Sequence, residues 1–420
     1  MSNKLLVPRI RFKEFTNAWE QEKLGECSKF YNGLTSVSKS DFGVGKDLYI
    51  DYLNVFNNTF SQFSELKKFK NSSRQNYVQF KDVILTISSE TPDEVAMSSV
   101  INWKNDYKNV AFNSFCILVR FNQLEKYDVN YIGYFFRSNS FRTQAMLMAQ
   151  GISRFNINQT ALKKTLFLFP PNIYEQQKIG NVLYYLDSLI TLHQRKLLSL
   201  KNLKSRLLDR MFCDEKSQFP SIRFKEFTNA WEQGKLGNLI DKGGSGGTPN
   251  TSNAKFYNGS IPFLTIADLT KADGHIYSTE KHITNEGLNS SSAWIVPKGS
   301  LTLSIYATIG KIGIMHQNMA TSQAFYSMVI NDDITKKYLY YHLKKSDVFG
   351  EWTKLISTGT QANLNSEKVK SFGIFIPKNK SEQSKISSLF THLDSLITLH
   401  QRKLNSLKNI KNTLLDKMFV

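Results

Sequence analysis

LDSLITLHQRKLLSLKNLKSRLLDRMF, residues 186–212, returns at 393–419 as LDSLITLHQRKLNSLKNIKNTLLDKMF, with five positions changed. In and just before the first copy, Ile179, Leu183, Leu186, Ile190, Leu197, Leu200, Leu207 and Met211 recur at coiled-coil spacing. The second copy repeats the pattern through Ile386, Phe390, Leu393, Ile397, Leu404, Leu407, Leu414 and Met418. His193 and Lys204 break the apolar seam, and their twins His400 and Lys411 break it in the same places. No proline lies between Pro171 and Pro220 or after Pro377, so nothing interrupts either helix. About 35 helical residues would span about 50 Å. Two matching seams in one chain most simply pack on each other, and antiparallel helices would give the chain a pseudo-two-fold internal repeat.

A second repeat lies upstream. Residues 8–25 read PRIRFKEFTNAWEQEKLG and residues 220–237 read PSIRFKEFTNAWEQGKLG, differing at two positions. The plan is a short motif, a long middle, a long helix, then the same again. The middles, roughly 26–170 and 238–377, show almost no likeness. One frame therefore holds two different readers. In the first middle, strands are predicted at 83–88, 115–121 and 165–169, with helical spacing across 131–148. In the second they are predicted at 261–266, 293–296, 301–305, 324–330 and 372–376. Helical spacing runs from 338 towards Trp352, and GGSGGTP (243–249) reads as a loop. Asn172 with Glu175, and Asn379 with Glu382, resemble capping boxes that open the long helices.

The chain has 420 residues and a formal charge of +19, which makes nucleic acid the leading partner and an anionic membrane surface the weaker one. Thirty phenylalanines and 18 tyrosines fit a folded basic protein. The three cysteines, Cys27, Cys116 and Cys213, build neither a disulfide framework nor a metal spacing, so a reducing cytoplasm is expected. No secretory leader is expected, since Met1–Arg9 lacks an apolar core, and the apolar runs are too short to cross a bilayer.

No catalytic motif is complete in this sequence. DFGVGK (41–46) lacks the strand and helix of a nucleotide-binding glycine turn and reads as a surface loop. Asp93 with Asp106 and Lys108 has the loose spacing of a Mg²⁺ nuclease, but INWKNDYK is too polar for a buried strand. Gly310-Lys311 lacks the rest of a phosphate-cradling loop. FPPNIY (169–174) carries the letters of a methyltransferase loop in the wrong order. His193 and His400 lie on the seam, where a polar side chain fixes register.

The seam does not explain why Asp187, Thr191, Gln194, Arg195 and Lys196 recur as Asp394, Thr398, Gln401, Arg402 and Lys403. A recent duplication would account for it, yet the middles have diverged. The reading preferred is that these faces dock two copies of one partner. Two unlike heads on such a frame would read two half-sites of different sequence.

These features resemble the specificity subunit of type I restriction–modification systems. The carriers are the paired IRFKEFTNAWEQ and LDSLITLHQRK segments, GGTPNTSNAKFYNGSIPF (246–263), SIYATIGKIGI (304–314), TSQA (321–324) and TQANLN (360–365). The first middle lacks the GGTP loop and keeps only GISRFNIN (151–158). The resemblance implies an α+β fold, with two globular target recognition domains joined by two long antiparallel coiled-coil helices. Its expected domains are 1–170 and 220–377, with spacer helices and linker at 171–219 and 378–420. It implies a non-catalytic cytoplasmic protein that binds double-stranded DNA, two modification subunits and two restriction subunits. S-adenosylmethionine, ATP and Mg²⁺ are expected on those partners, with no cofactor in this chain and no membrane contact. Base edges are read by hydrogen bonds, so the loop-tip candidates for DNA are Lys39, Ser153, Arg154, Thr248, Thr308, Lys311, Thr360 and Gln361. A stand-alone two-part DNA-binding regulator is the alternative, and an autonomous nuclease or methyltransferase is disfavoured by the missing motifs.

Overall fold

The computed structural model describes residues 6–71, 73–103, 109–214, 217–356 and 364–420. The chain divides into two compact units, Met1–Arg195 with Gln401–Val420, and Lys196–His400. The periodic segments form helices Ile173–Arg210 and Lys380–Lys417, each of 38 residues. Each unit thus takes the leading part of one long helix and the trailing part of the other.

Within each unit the two helical stretches run antiparallel. In the first, the Lys411 ammonium donates to Asp187 at 2.6 Å, and further along Met418 and Phe419 pack with Ile179, Leu183 and Trp19. In the second, Lys204 donates to Asp394, while Met211 and Phe212 pack with Ile386, Phe390 and Trp231. The lysines that interrupt the apolar period are therefore matched by recurring aspartates. A tyrosine completes each pair: Tyr134 Oη donates to Asp187 at 2.8 Å and Tyr341 Oη to Asp394 at 3.1 Å.

The upstream repeat is a clamp on the start of each long helix. Arg11 donates to both carboxylate oxygens of buried Glu175, at 2.7 and 2.9 Å, and Trp19 Nε1 donates to the same group at 3.3 Å. Arg223 and Trp231 hold Glu382 in the same way, at 2.6, 2.8 and 3.2 Å. These glutamates are thus salt-bridge centres rather than the capping-box acids expected from their spacing. The caps are Asn172 and Asn379, whose side chains accept from the Tyr174 and Ser381 amides. Just past each tryptophan, strand Glu20–Lys23 pairs antiparallel with Leu166–Phe169, and Glu232–Lys235 with Gly373–Ile376. Both ends of each middle segment are therefore fixed side by side.

The middles share a fold that their sequences conceal. In the first, strands Ser28–Asn32, Cys116–Phe121, Val83–Thr86 and Ser98–Val100 form one antiparallel sheet in that order. In the second, Lys242–Ser245, Phe325–Val329, Leu301–Ser304 and Ile312–Met315 form the same sheet, extended by His275–Ile276. Each also carries a three-stranded sheet whose centre is Phe42–Ile50 or Tyr257–Leu264.

Several sequence expectations shift. The pattern across 131–148 is two helices, Val129–Phe135 and Asn139–Met148. Between them the buried Arg137 guanidinium donates to the carbonyls of Val55, Asn58 and Ser98, which holds the break. The expected loop at 41–46 enters strand Phe42–Ile50, because Gly43 and Gly45 adopt φ of +83° and +88° and let the strand bulge. The glycine-rich stretch from 243 starts as strand Lys242–Ser245. The strand expected at 293–296 is only an isolated bridge between Val296 and Met319, and the one at 261–266 ends at Leu264 before helix Ile266–Lys271.

Candidate nucleic-acid interface and helix surface

In the second unit, strands Leu301–Ser304 and Ile312–Met315 form a hairpin that carries two of the chosen residues, Thr308 and Lys311. Ser304 Oγ ties its tip together, donating to the Thr308 carbonyl and accepting from the Lys311 amide at 3.0 Å. Ala307 at φ +57° and Gly310 at +95° make the turn. Gly310 is obligatory, since a Cβ there would lie 2.5 Å from the Trp352 ring. The tip is braced by these bonds, with the Thr308 side chain exposed and Lys311 half-buried beside it. Thr248 sits apart from this hairpin and its hydroxyl donates to Gln323. Thr360 and Gln361 lie outside the described residues, as do Asp106 and Lys108.

In the first unit, Ser153 and Arg154 are exposed on a tight turn closed by Gln150 and Asn156, whose amides and carbonyls exchange bonds of 2.9 and 2.8 Å. Arg154 Nε donates to Ser88 Oγ at 2.9 Å, which brings it onto the first unit's version of the hairpin. The residues that follow this turn are anchored as Leu364 is in the second unit. Ile157 donates to the Ile87 carbonyl as Leu364 donates to that of Ile305, so Arg154 and Gln361 each precede the anchor by three residues. Lys39 is elsewhere, exposed in the single turn Lys39–Asp41.

The sequence reading missed the first unit's equivalent of the GGTP loop. Leu34 donates to the Phe112 carbonyl as Gly247 donates to that of Thr321. A Cβ on Gly33 would lie 2.0 Å from the Asn113 carbonyl oxygen, and one on Gly246 2.0 Å from that of Thr321. Gly33-Leu34-Thr35 therefore occupies the place of Gly246-Gly247-Thr248. The signal was present as spacing: Thr35 follows Trp19 by 16 residues and Thr248 follows Trp231 by 17.

Of the residues chosen for partner docking, Asp187 and Asp394 turn inward to the ion pairs described above. Thr191, Gln194, Arg195, Lys196, Thr398, Arg402 and Lys403 are exposed, and Gln401 is half-buried. Thr191, Gln194 and Arg195 line a polar cleft of about 660 Å³ in the first unit, facing residues of the non-repeated stretch 57–62. Leu189, Leu192 and Leu399 are also exposed on these helix faces, although none lies on the seam.

Among the described residues, no cluster of three His, Cys, Asp or Glu could hold a metal ion, and Asp93 sits in the turn Pro92–Glu94 with its carbonyl accepting from Arg142. No described helix is long and apolar enough to cross a membrane. The geometry is that of two scaffolds presenting polar loop tips.

The type I restriction modification DNA specificity domain matches the chain twice, over residues 17–202 and 229–409, and the chain belongs to that family. It is 29% identical over 207 residues to the type I restriction enzyme MjaIX specificity subunit of Methanocaldococcus jannaschii, covering 49% of this chain and 47% of that protein. It is also 29% identical over 159 residues to the HindI specificity subunit of Haemophilus influenzae, covering 37% and 34% of the two chains. The matched region thus spans about half or less of these curated relatives. Among solved structures, the type I restriction–modification S subunit of M. genitalium superposes with a TM-score of 0.60 over 99% of both chains, at 15% identity. At that identity the likeness is one of fold.

Proposed function

We propose that this chain is the sequence-reading component of a type I restriction–modification complex and performs no chemistry itself. Each unit reads one part of a two-part, asymmetric DNA site, and the long helices set the distance between the parts. The observation that carries this reading is the pairing of one framework with two sets of loops. The Arg–Trp–Glu clamp, the Lys–Asp–Tyr pairs and the sheet order repeat, whereas GISR (151–154) has no likeness to TGTQ (358–361), and the hairpin loops 87–97 and 305–311 differ in length and sequence. Hydrogen-bonding tips on braced hairpins suit the reading of base edges.

The exposed helix residues Thr191, Gln194, Arg195 and Lys196, with Thr398, Arg402 and Lys403, are the surface for two modification subunits. Two restriction subunits complete the complex. S-adenosylmethionine, ATP and Mg²⁺ belong to those partners, and the complex works in the cytoplasm.

The test is to map, at single-molecule resolution, the bases methylated by this chain together with its modification subunits. The expected outcome is one consensus made of two unlike parts at fixed separation. A one-part consensus, or tight binding to a split site with no partners and no methylation, would overturn it in favour of another DNA-binding role.

A further inference from the structure

The three-stranded sheets of the two units share an unusual detail. Strand Phe42–Ile50 lies between Lys67–Phe69, antiparallel, and Val110–Phe112, parallel. Strand Tyr257–Leu264 lies between Lys281–Ile283 and Ala320–Thr321 in the same senses. In both, the central strand leaves the ladder and rejoins it opposite the same residue. Phe42 and Asp47 both face Phe69, and Tyr257 and Ile261 both face Ile283. Residues 43–46 and 258–260 are thereby thrown out of the sheet.

Each excursion closes over a glycine in the same contact. A Cβ on Gly45 would lie 2.5 Å from the Phe69 oxygen and 2.7 Å from Lys70 Cα. On Gly259 it would lie 2.4 Å from the Ile283 oxygen and 2.6 Å from Thr284 Cα. Left-handed backbone accompanies both, at Gly45 (φ +88°) and Asn258 (φ +60°). Bulges re-aim side chains, and a glycine-dependent one kept where the surrounding sequence is not shared has a use beyond filling the sheet.

In the first unit the excursion carries exposed Lys46 into a field of cations. Lys68 and Lys70 are exposed on and just past the neighbouring edge strand, with Lys39 before the excursion and Arg74 beyond. Of the nearby carboxylates, Asp41 and Asp51 are engaged, and Asp47 directly follows Lys46. Asp41 accepts from the Ser38 amide and hydroxyl, and Asp51 holds Lys67. Among the described residues, no ion pair engages Lys39, Lys46, Lys68 or Arg74. The second unit places exposed Lys255 and Lys281 at its own excursion.

We infer that the bulged finger at 43–46, with Lys68 and Lys70 beside it, grips the phosphate backbone of the DNA, and that its counterpart at 258–260 does the same in the second unit. This rests on the DNA-reading role proposed above. Point charges on flexible stems around a fixed protrusion suit phosphates, which position a protein on the duplex without reading sequence. Lysines on an edge strand also guard against edge-to-edge pairing, so the two roles need an experiment that separates them.

The experiment uses the full chain with its modification subunits and measures DNA affinity against salt, on a duplex carrying the methylation-mapped site and on one with that site scrambled. Wild type is compared with Lys46→Ala/Lys68→Ala. Lys23→Ala, which removes a cation paired with Glu26 elsewhere on the first unit, controls for net charge. The inference expects the double variant to weaken binding on both duplexes and to lower the slope of log affinity against log salt by about 0.9 per lysine, with the control unchanged. An unchanged slope would overturn it and leave the lysines as edge guards. A loss confined to the mapped site would overturn it by making the finger a base reader, and an equal fall for Lys23→Ala would reduce it to bulk charge. If wild type does not prefer the mapped site at all, the proposed function itself fails, which is a separate result.

Discussion

Glu175 shows how one side chain can organise a repeat. It is buried, yet it accepts from Arg11 twice and from Trp19 once, so its charge is compensated at every face. Removing one partner of a buried pair typically costs about 3–5 kcal/mol because the other charge is stranded. Glu175→Ala is expected to lower thermal stability by about that amount and Glu382→Ala similarly, read as a fall in Tm by calorimetry. The clamp was only half legible in sequence. The motif was visible as a repeat, but the spacing of Glu175 from Asn172 imitates a capping box, and its partners lie 164 and 156 residues away. His342 is the opposite case. It is buried, its Nδ1 has no hydrogen-bond partner, and burial, aided by Lys345, holds its pKa well below the usual value. In the unfolded chain a histidine takes up a proton near pH ~6.5. Below that pH the unfolded state binds more protons than the native state, so stability is lost as the pH falls. His342→Phe should flatten the decline in Tm between neutral pH and pH ~4.5, and an unaltered decline would show that other groups drive it. At the hairpin tip, Lys311→Ala is expected to weaken binding mainly to one half-site, by about 1–3 kcal/mol, a loss that disappears on duplexes already mutated in that half. Titration against duplexes mutated in either half checks this, and an equal loss on all of them would make Lys311 a phosphate contact.

At the scale of the helix, the seam was readable because its period depends only on apolar spacing, and Leu183, Ile190, Leu197, Leu393 and Leu404 are buried as that period requires. The meaning of its polar interruptions was not readable. Lys204 and Lys411 pair with aspartates from the other helix, and no spacing within one helix reveals that. Such pairs set register more than they add stability, since a misaligned helix would leave each charge unpartnered. A double-mutant cycle on Asp187 and Lys411, which are partly exposed, is expected to give a coupling of about 1 kcal/mol, with each single change costing more than the coupling alone. Coupling near zero would mean that the apolar seam fixes alignment unaided. Of the docking residues, Asp187 and Asp394 looked the same in sequence as Thr191 or Arg195. Only the fold separates the inward carboxylates from the outward face.

Across the whole chain, the middles were legible as α+β segments of many short strands but not as two copies of one fold. A sheet order is kept by burial and hydrogen-bonded register, which many sequences satisfy, so likeness between the middles vanished while their topology persisted. Even the equivalence of Gly33 and Gly246 rests on a close backbone approach rather than on flanking residues. If each middle is an independent reader on a shared frame, exchanging 26–165 with 238–372 should preserve folding and exchange the two halves of the methylated consensus. Methylation mapping of that variant checks it. A folded variant with the original order of halves would show that the frame, and not the middles, does the reading.

The antiparallel pairing of Glu20–Lys23 with Leu166–Phe169 has a further consequence for how such a chain can change. It closes each variable segment into a cassette whose two ends are already joined, so the entropy of bringing them together is settled by the invariant parts. Lengthening the contents then adds little, because that penalty grows only with the logarithm of length. New specificities can enter by replacing what lies between two fixed seams, provided the replacement keeps the few bonds to the long helix, such as that of Tyr134 to Asp187.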